Sequence, residues 1–292
     1  MAGPSPVENA QRVVVITGAT SGIGREIALG VARQGFSTVV VGRREGRAAQ
    51  AATEIAAATG NSHVGSLRVD DLAVVGQARS LVEGLLAQYP RIDVLVNNAG
   101  AYFHRREVTA DGFERTFALN VLAPYVLSTL LASRLGASAP ARIVNVSSAA
   151  HRGARVNLDD LQSSGRYSGF GVYGATKLEL IWLTREYARR LAGQGVAVNA
   201  VHPGFVRSGF ALNNGGGIAF GMRIASVFGR SVRRGADTPI YLATSADVAN
   251  VSGKYFSDRK VRTGSTESAD MGRARQLVEA CARLSGVPAI PG

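Results

Sequence analysis

The chain has 292 residues, 46% of them hydrophobic, so it is long enough to bury a large core within a single domain. Its formal net charge of +12 would suit a polyanionic partner, but the arginines occur in scattered pairs without interleaved aromatic residues or a recognisable DNA-binding motif. We therefore expect no nucleic-acid partner and attribute the charge to an arginine-rich surface.

Cysteine content and hydropathy bear on the cellular compartment. Cys281 is alone and cannot form an internal disulfide, which fits a reducing cytoplasm. The N-terminal residues lack the basic start and apolar run of a signal peptide, and the most apolar stretch, residues 117–135, is broken by polar residues and a proline. The sequence thus predicts a cytoplasmic protein without a membrane span.

No linker, internal repeat or change of composition divides the chain. We expect a flexible N-terminus at residues 1–10, one domain at residues 11–284 and a C-terminal tail at residues 285–292.

A glycine-rich turn follows the first predicted strand, residues 12–17, whose β-branched run without polar alternation is typical of a strand covered on both faces. Gly18, Gly22 and Gly24 come next and lead into a helical pattern at residues 25–34. Glycines let the backbone approach a phosphate closely, and a helix N-terminus offers unpaired N–H groups and a positive dipole. This context predicts dinucleotide binding, whereas a glycine cluster elsewhere is usually only a loop.

The end of the second predicted strand, residues 38–41, indicates which dinucleotide is bound. Gly42, Arg43 and Arg44 follow it, where a dinucleotide-binding fold contacts the adenosine ribose. An acidic residue would accept hydrogen bonds from a free 2′-hydroxyl, whereas arginine suits a 2′-phosphate. The pattern favours NADP(H) over NAD(H); the alternative is a solvated arginine pair at the start of a helix.

Strands and helices continue to alternate, with helices at residues 46–58 and 72–88 and strands at residues 63–69 and 92–96. Such alternation predicts a parallel sheet with right-handed crossovers. Polar and small residues follow the third and fourth strands, at the edge where open α/β sheets bind ligands: Asp70, Asp71, Asn97, Asn98, Ala99 and Gly100. Helix capping or turn formation is the alternative role for them.

Asn120 lies in the middle of a predicted helix, residues 111–135, where asparagine is unfavourable unless it has a polar role or points to solvent. A strand at residues 142–146 then leads into Ser147 and Ser148. Either serine could serve a ligand at that strand end.

Tyr173 and Lys177 follow a connection at residues 149–172 and are four residues apart, so on a helix they share one face. An ammonium beside a phenol stabilises the phenolate, which would make Tyr173 an acid–base catalyst. The alternative is a half-exposed helix face without a function.

The last part of the chain predicts a strand at residues 195–201, then His202, Pro203 and Gly204 in a loop. Residues of about 205–235 suit a lid over an apolar ligand, because residues 209–229 are rich in glycine and apolar side chains. A helix at residues 235–243, a strand at 254–257 and a helix at 269–284 follow. Aromatic residues suggest a roomy apolar pocket, although such residues are more often core: Phe103, Tyr167, Phe170, Phe205, Phe210 and Phe220.

Together these motifs resemble those of the short-chain dehydrogenase/reductase family, in the family's order and over about residues 11–284. Within the family, residues 145–151 and 255–258 are similar to the retinol dehydrogenase group and its WW-domain oxidoreductase relatives. The resemblance implies a single-domain Rossmann fold, in which a doubly wound parallel sheet of about seven strands has helices on both faces. The apolar N-terminal anchor common in animal members is not recognised here, so neither retinoid substrates nor membrane residence is carried over.

The resemblance also implies roles for individual residues. Tyr173 would be the general acid and base, and Lys177 would lower its pKa and hold the nicotinamide ribose. Ser148, favoured over Ser147, would bind the substrate oxygen, and Asn120 would hold a water that links Lys177 to solvent. The implied cofactor contacts are Gly18, Ser21, Gly22, Ile23 and Gly24 at the pyrophosphate, Arg43 at the 2′-phosphate, Asp71 at the adenine, Asn98 at a ribose, Pro203, Gly204 and Val206 at the carboxamide, and further positions Ala99, Gly100 and Ser208.

The expected activity is therefore reversible hydride transfer between NADP(H) and the carbonyl or alcohol group of an apolar small molecule. A non-catalytic NADP(H)-binding sensor or scaffold is the alternative, although such proteins commonly lose the Tyr/Lys pair. No metal site is predicted, His151 and His202 are not required as catalytic bases, and a homo-oligomer is left open.

Overall fold

The computed structural model describes residues 11–43, 45–205 and 230–292. Residues 206–229 make up most of the predicted lid and include Val206, Ser208, Phe210 and Phe220, and they lie outside the described residues. The same holds for Arg44 and for the predicted flexible N-terminus.

An eight-stranded sheet forms the centre of the described fold. Its strands are β1 (Val13–Thr17), β2 (Ser37–Gly42), β3 (Val64–Arg68), β4 (Val94–Asn97), β5 (Ala141–Val146), β6 (Val196–Val201), β7 (Tyr255–Ser257) and β8 (Lys260–Val261). The spatial order is β3-β2-β1-β4-β5-β6-β7-β8, and all pairings are parallel except that of β7 with β8. The order reverses between β1 and β4, and open α/β sheets bind ligands at the carboxyl ends of strands at such a point.

Helices cover both faces of this sheet. They are α1 (Gly22–Ala32), α2 (Glu45–Thr59), α3 (Val75–Gln88), α4 (Arg115–Ala137), α5 (Gly169–Arg190), α6 (Val232–Thr244) and α7 (Met271–Ser285). In the described part of the chain, α1, α2 and α6 pack on one face, and α3, α4, α5 and α7 pack on the other.

Strand β1 shows why its sequence has no polar alternation. Val13 and Val15 belong to the core on the α4 side, while Val14 and Ile16 belong to the core on the α1 side. Successive side chains of a strand point to opposite faces, so a strand covered on both faces must be apolar throughout. Each fully buried side chain of this kind stabilises the fold by about 2 kcal/mol.

Helix α4 contains a π-helical segment, Ala118–Leu122, which includes Asn120. Such segments are rare and frequently lie at functional sites. By length and composition α4 could also cross a membrane, but 78% of its most apolar window is buried inside the protein. That burial is typical of a core helix, so the apolar sequence of α4 is weak evidence for a membrane span.

The predicted single-domain, doubly wound α/β fold is confirmed, with one strand more than the seven expected. The additional strand, β8, pairs with β7 through a tight turn in which Asp258 and Arg259 have positive φ angles of 53° and 57°. Tight hairpin turns of this kind usually contain glycine or asparagine. Arginine in the turn therefore concealed the hairpin at the sequence level.

The C-terminal tail packs on the domain. Val287 is 1% exposed, and Tyr125 Oη donates a hydrogen bond to the Val287 carbonyl oxygen at 2.8 Å. These contacts place the last residues against α4, on the face that also carries α5 and α7.

Candidate active site

The glycine-rich turn joins β1 to α1 at the carboxyl edge of the sheet. Gly18 and Gly22 have positive φ angles of 66° and 57°, which favour glycine. A Cβ atom on Gly24 would lie 2.4 Å from the Gly18 carbonyl oxygen, so only glycine lets α1 begin this close to the turn. Ser21 is the N-cap of α1 but its side chain does not cap the helix, and Ile23 packs against the core. The first N–H groups of α1 thus remain available to an anion.

Asn98 and Thr17 fix this turn to the neighbouring strand. Asn98 Nδ2 donates to the carbonyl oxygens of Thr17 and Gly18 at 2.9 and 3.3 Å. Thr17 Oγ1 accepts hydrogen bonds from the backbone N–H groups of Asn98 and Ala99, each at 3.0 Å. The amide expected at a ribose therefore already supports the glycine turn. Thr17 was not predicted as a site residue; the signal that could have found it is a hydroxyl at the last position of a buried strand.

Arg43 directly follows β2 and is exposed. A Cβ atom on Gly42 would lie 2.4 Å from Thr20 Cγ2, so the end of β2 is in contact with the glycine-rich turn. Arg43 is therefore an exposed residue at a strand end that touches the turn, and its predicted phosphate contact stays a prediction.

Asp71 is partly buried and both of its carboxylate oxygens have partners. Oδ1 accepts from the backbone N–H of Ala73 at 3.1 Å, and Oδ2 forms an ion pair with Arg115 Nη2 at 2.6 Å. Arg115 begins α4, so the ion pair connects the end of β3 to that helix. An adenine amino group would have to compete with Arg115 for Oδ2.

Ser148 and Tyr173 meet at the carboxyl end of β5. Helix α5 begins at Gly169, which places Tyr173 in its second turn and Lys177 in its third. A side-chain hydrogen bond joins Ser148 to Tyr173. Ser147 is 2% exposed and its Oγ donates instead to the Lys177 carbonyl oxygen at 2.8 Å. The geometry therefore places Ser148, and not Ser147, at the Tyr173 hydroxyl.

Gly174 permits this approach between the turn after β5 and helix α5. A Cβ atom on Gly174 would lie 2.8 Å from the Ala150 carbonyl oxygen and 3.4 Å from Ala154 Cβ. Its part in the site was missed from the sequence. The available signal was a glycine inside a helical pattern, which is about 1 kcal/mol less favourable than alanine and usually has a packing reason.

Lys177 and Asn120 converge beside Gly100. Lys177 Nζ lies 5.5 Å from the centroid of the Tyr173 ring and donates to the Val146 carbonyl oxygen at 3.0 Å. A Cβ atom on Gly100 would lie 3.1 Å from Asn120 Oδ1 and 3.2 Å from Lys177 Nζ. Both polar atoms therefore approach one point, where any side chain larger than glycine would displace them.

The Asn120 side chain is held on several sides. It is 1% exposed, accepts from the backbone N–H of Ala101 at 2.9 Å, and donates to the Ala101 carbonyl oxygen and to Thr176 Oγ1, each at 3.0 Å. The polar role that the sequence predicted for this asparagine is thus a link between the loop after β4 and helix α5.

Burial shifts the pKa values of Tyr173 and Lys177 against their charged forms. Burial raises the pKa of Tyr173 to about 12, and the hydrogen bond from Ser148 opposes this by stabilising the phenolate. Burial lowers the pKa of Lys177 to about 8. In the protein alone, desolvation of the phenolate therefore outweighs the hydrogen bond from Ser148, and the lowering of the Tyr173 pKa expected from Lys177 and a bound cofactor stays a prediction.

Pro203 and Gly204 follow β6 in a loop, as predicted. Gly204 has a φ angle of 85°, and a Cβ atom there would lie 2.9 Å from Arg230 Cδ. Phe205 is 51% exposed at the start of the predicted lid. The remaining predicted contacts of this loop, Val206 and Ser208, lie outside the described residues.

Aromatic residues lie near Tyr173 in the structure and along the chain. Tyr102 meets it edge-on at a centroid separation of 6.3 Å. Phe170 lies three residues before Tyr173 on α5 and is 47% exposed. Tyr167 Oη donates to the Phe103 carbonyl oxygen at 3.2 Å, which holds the two residues together. Tyr102 and the exposed Phe170 therefore provide aromatic carbon close to Tyr173.

A cavity of about 350 Å³ lies against another side of α5. Its lining includes Val172, Thr176 and Glu179 but not Ser148, Tyr173 or Lys177. Burial raises the pKa of Glu179 to about 8. This cavity is separate from the Ser148–Tyr173 pair and does not contribute to it.

The comparisons with known proteins agree with this geometry. Residues 12–215 match the short chain dehydrogenase family, and this span contains all the positions predicted above to be catalytic or to contact the cofactor. The chain belongs to the short chain dehydrogenase family. It is 40% identical over 276 residues to mouse retinol dehydrogenase 12, which covers 94% of this chain and 87% of that protein. The predicted resemblance to the retinol dehydrogenase group is thereby confirmed.

Solved structures of similar fold support the same assignment. An uncharacterized protein from Mycobacterium paratuberculosis has a TM-score of 0.78 at 28% identity, with 100% of both chains covered. A blue fluorescent protein from a metagenomic library, solved in complex with NADPH, has a TM-score of 0.67 at 28% identity and covers 85% of this chain and 96% of its own. This short chain dehydrogenase is accordingly an oxidoreductase that acts on the alcohol or carbonyl group of a small molecule with a nicotinamide cofactor.

Proposed function

We propose that this short chain dehydrogenase interconverts an alcohol and a carbonyl group on an apolar small molecule with NADP(H), and that Tyr173 moves the proton. The observation that carries the proposal is the hydrogen bond between Ser148 and Tyr173 with the Lys177 ammonium 5.5 Å from the phenol ring. A protein that only sensed the cofactor would not need these three groups together.

The residues at the carboxyl edge of the sheet fit a nicotinamide dinucleotide. Gly18, Gly22 and Gly24 bring backbone close to the uncapped start of α1, which suits a pyrophosphate. Arg43 is exposed beside them and would bind a 2′-phosphate, and Lys177 would hold the nicotinamide ribose. When bound, the cofactor supplies or accepts the hydride.

Tyr173 acts on the substrate oxygen. In carbonyl reduction its hydroxyl donates a proton to the developing alkoxide while Ser148 hydrogen-bonds the same oxygen; in alcohol oxidation the phenolate accepts the proton. Burial raises the pKa of Tyr173 to about 12, so the protonated form that reduction needs is favoured at neutral pH. Alcohol oxidation should therefore accelerate as the pH rises.

The substrate class follows from the aromatic surface at the site. Tyr102 packs on the Tyr173 ring, and Phe170 and Phe205 expose 47% and 51% of their surface. Exposed aromatic carbon favours an apolar ligand, since covering it removes apolar area from water. Retinoids, sterols, long-chain aldehydes and aromatic ketones all belong to this class.

The central experiment replaces Tyr173 with Phe. Turnover, followed by NADPH absorbance over a panel of apolar carbonyls and alcohols, should fall at least roughly thousandfold, in the range known for general acid–base groups. The dissociation constant for NADPH should change less than about threefold, because one hydroxyl contributes little to cofactor binding. Tyr89→Phe removes a phenol hydroxyl far from the site and should leave turnover unchanged. Substantial activity in Tyr173→Phe would exclude Tyr173 as the proton donor.

Cofactor preference is tested at Arg43. Arg43→Ala should weaken NADPH binding roughly tenfold or more while NADH binding changes little, since a charge-assisted hydrogen bond to phosphate contributes about 1.5–3 kcal/mol. Arg33→Ala, another exposed arginine, serves as the matched control. Equal use of NADH and NADPH by the unmodified protein would contradict the proposed preference.

A further inference from the structure

Two histidines that the proposed mechanism does not use contact the two ends of one peptide unit. His151 Nδ1 lies 2.7 Å from the Ser148 carbonyl oxygen. His202 Nδ1 lies 3.2 Å from the backbone nitrogen of Ala149. That carbonyl and that N–H belong to the peptide group between Ser148 and Ala149, so the two rings hold it from opposite ends.

The backbone partners determine the tautomer of each ring. The backbone N–H of Ser265 donates to His151 Nε2 at 3.2 Å, so the His151 hydrogen must be on Nδ1, from which it is donated to the Ser148 oxygen. The backbone N–H of Ala149 donates to His202 Nδ1, so that nitrogen carries no hydrogen. Both contacts therefore require neutral imidazoles.

The surroundings keep both rings neutral and in place. His151 is 0% exposed and its ring packs edge-on against Tyr255 at 4.8 Å. Burial lowers the pKa of His151 and lowers that of His202 to about 4. Besides burial, His151, Arg230 and Arg152 lower the His202 pKa, and Asp258 opposes them.

This peptide unit leads directly into the turn whose backbone holds the Ser148 side chain. Ser148 Oγ accepts a hydrogen bond from the backbone N–H of Ala150 at 3.2 Å, and the Ser148 side chain is also hydrogen-bonded to Tyr173. Ala150 itself lies against Gly174 of α5, where an added Cβ would be only 2.8 Å from its carbonyl oxygen. Rotation of the peptide unit would thus move Oγ relative to the Tyr173 hydroxyl, and a displacement of about 1 Å can reduce turnover roughly hundredfold.

We infer that His151 and His202 are positioning residues, which fix the Ser148–Ala149 peptide and thereby aim the Ser148 hydroxyl at Tyr173. The inference rests on the role proposed for Ser148. It assigns a purpose to two histidines that lie on separate elements, one in the turn after β5 and one directly after β6.

The test compares two substitutions of His202 in the full-length protein. His202→Leu keeps the bulk but removes the acceptor for the Ala149 N–H, whereas His202→Asn places a carbonyl oxygen near the position of Nδ1. We expect His202→Leu to lower kcat roughly tenfold or more and His202→Asn to restore kcat to within about threefold of the parent. The KM for NADPH and the melting temperature should differ little between the two variants. His63→Leu, at an exposed histidine next to β3, is the control.

The pH profile of alcohol oxidation provides a second readout. The hydrogen bond from Ser148 favours the Tyr173 phenolate, so its loss should move the alkaline limb of the profile to higher pH. His202→Leu should show the same direction of shift as Ser148→Ala, and His202→Asn should not. A purely structural weakening would leave the limb in place.

His151 is tested by substitutions that separate its two contacts. His151→Asn can still donate to the Ser148 oxygen, whereas His151→Gln places its acceptor near Ser265 and loses that donor. We expect the greater loss of kcat in His151→Gln. Because His151 is buried, the His202 pair alone decides the inference if either His151 variant fails to fold.

The outcomes distinguish this inference from the proposed function. Full activity in Ser148→Ala would overturn the role of Ser148 itself. An inactive Ser148→Ala together with unchanged kcat in His202→Leu, or with equal losses in His202→Leu and His202→Asn, would overturn the positioning role alone.

Discussion

The two edges of the sheet each bury a charged side chain, but in different ways. Asp93, at the amino edge next to β4, is 0% exposed; it accepts from the backbone N–H of Val13 at 2.8 Å and forms ion pairs with Arg91 and Arg12 at 2.5 and 3.5 Å. Lys177, at the carboxyl edge, is 4% exposed, and no carboxylate within the described residues forms an ion pair with it. Its ammonium donates to the Val146 carbonyl oxygen instead.

The difference separates a charge with a structural role from one that is available for the proposed function. A buried charge with several partners recovers the hydration that it loses, and removing one partner destabilises the fold. A buried ammonium without a carboxylate retains its desolvation penalty, which is why the pKa of Lys177 is lowered to about 8. Such unpaired, perturbed groups are characteristic of active sites, where they are available to a ligand or a reacting group.

The substitution Lys177→Met removes the buried ammonium at the carboxyl edge, and we expect it to have the largest effect. Turnover should fall roughly thousandfold, because Tyr173 loses the ammonium that stabilises its phenolate. The cofactor-free protein should nevertheless gain about 1–2 kcal/mol in free energy of unfolding at pH 7, since the relieved desolvation exceeds the lost hydrogen bond.

The stability difference between Lys177→Met and the parent protein should also depend on pH. The folded-state pKa of Lys177 is about 8 against an ordinary 10.5, so the unfolded chain binds the proton more tightly between these values. The free-energy cost of burying the Lys177 ammonium is therefore fully present below pH 8 in the parent protein and decreases as the pH rises toward 10.5. The stability advantage of Lys177→Met, measured by urea unfolding at several pH values, should therefore shrink as the pH rises; a variant less stable than the parent at pH 7 would contradict it.

At the amino edge, Asp93→Asn should lower the free energy of unfolding and leave turnover nearly unchanged. Removing the charge leaves Arg91 and Arg12 without their carboxylate, and we expect the free energy of unfolding to fall by about 3 kcal/mol. Turnover per folded molecule should remain within about twofold. Asp70→Asn breaks an exposed ion pair with Arg68 and should cost less than about 1 kcal/mol. Equal losses in free energy of unfolding in the two variants would mean that the buried ion pairs of Asp93 stabilise the fold no more than the exposed ion pair of Asp70.

The substitution Gly174→Ala tests how closely the carboxyl edge is packed, and we expect it to have the smallest effect. Gly174→Ala adds a methyl group 2.8 Å from the Ala150 carbonyl oxygen, so the turn that carries Ser148 must shift. We expect kcat to fall roughly tenfold, about 1.4 kcal/mol in activation free energy. Gly84→Ala in α3, where the nearest atom would be 3.9 Å away, should instead stabilise the helix by up to about 1 kcal/mol. Unchanged kinetics in Gly174→Ala would show that the site adapts to the added methyl group.

Much of the fold could be predicted because its signals are local. The apolar run of β1 and the helical patterns that alternate with the strands each reflect burial of nearby side chains, and alternation of strands and helices restricts the topology to a parallel sheet. Strand β8 escaped prediction because two residues at positive φ, Asp258 and Arg259, form its turn without the usual glycine.

The site was predictable only where one residue type suffices for a role. A glycine-rich turn after a buried strand and a tyrosine four residues before a lysine have few physical uses in this context. Gly18, Gly22, Gly24, Tyr173 and Lys177 could therefore be chosen as candidates from the sequence. The choice of Ser148 over Ser147 from the residues alone could not be made, because both are serines at a strand end. The structure separates them: Ser147 Oγ donates a hydrogen bond to the Lys177 carbonyl oxygen, whereas Ser148 is hydrogen-bonded to Tyr173.

By itself, then, the sequence determined the α/β architecture, the glycine-rich turn after β1 and the Tyr/Lys pair as candidates, because periodicity and short spacings are properties of the chain alone. Tertiary structure decided which serine reaches Tyr173, why Gly174 must lack a side chain and how the histidines bracket the Ser148 peptide. It also decided that Tyr173 and Lys177 are desolvated, which raises the pKa of Tyr173 and lowers that of Lys177 in the cofactor-free protein. These properties depend on contacts between residues that are distant in the chain and on burial, which only the packed domain establishes.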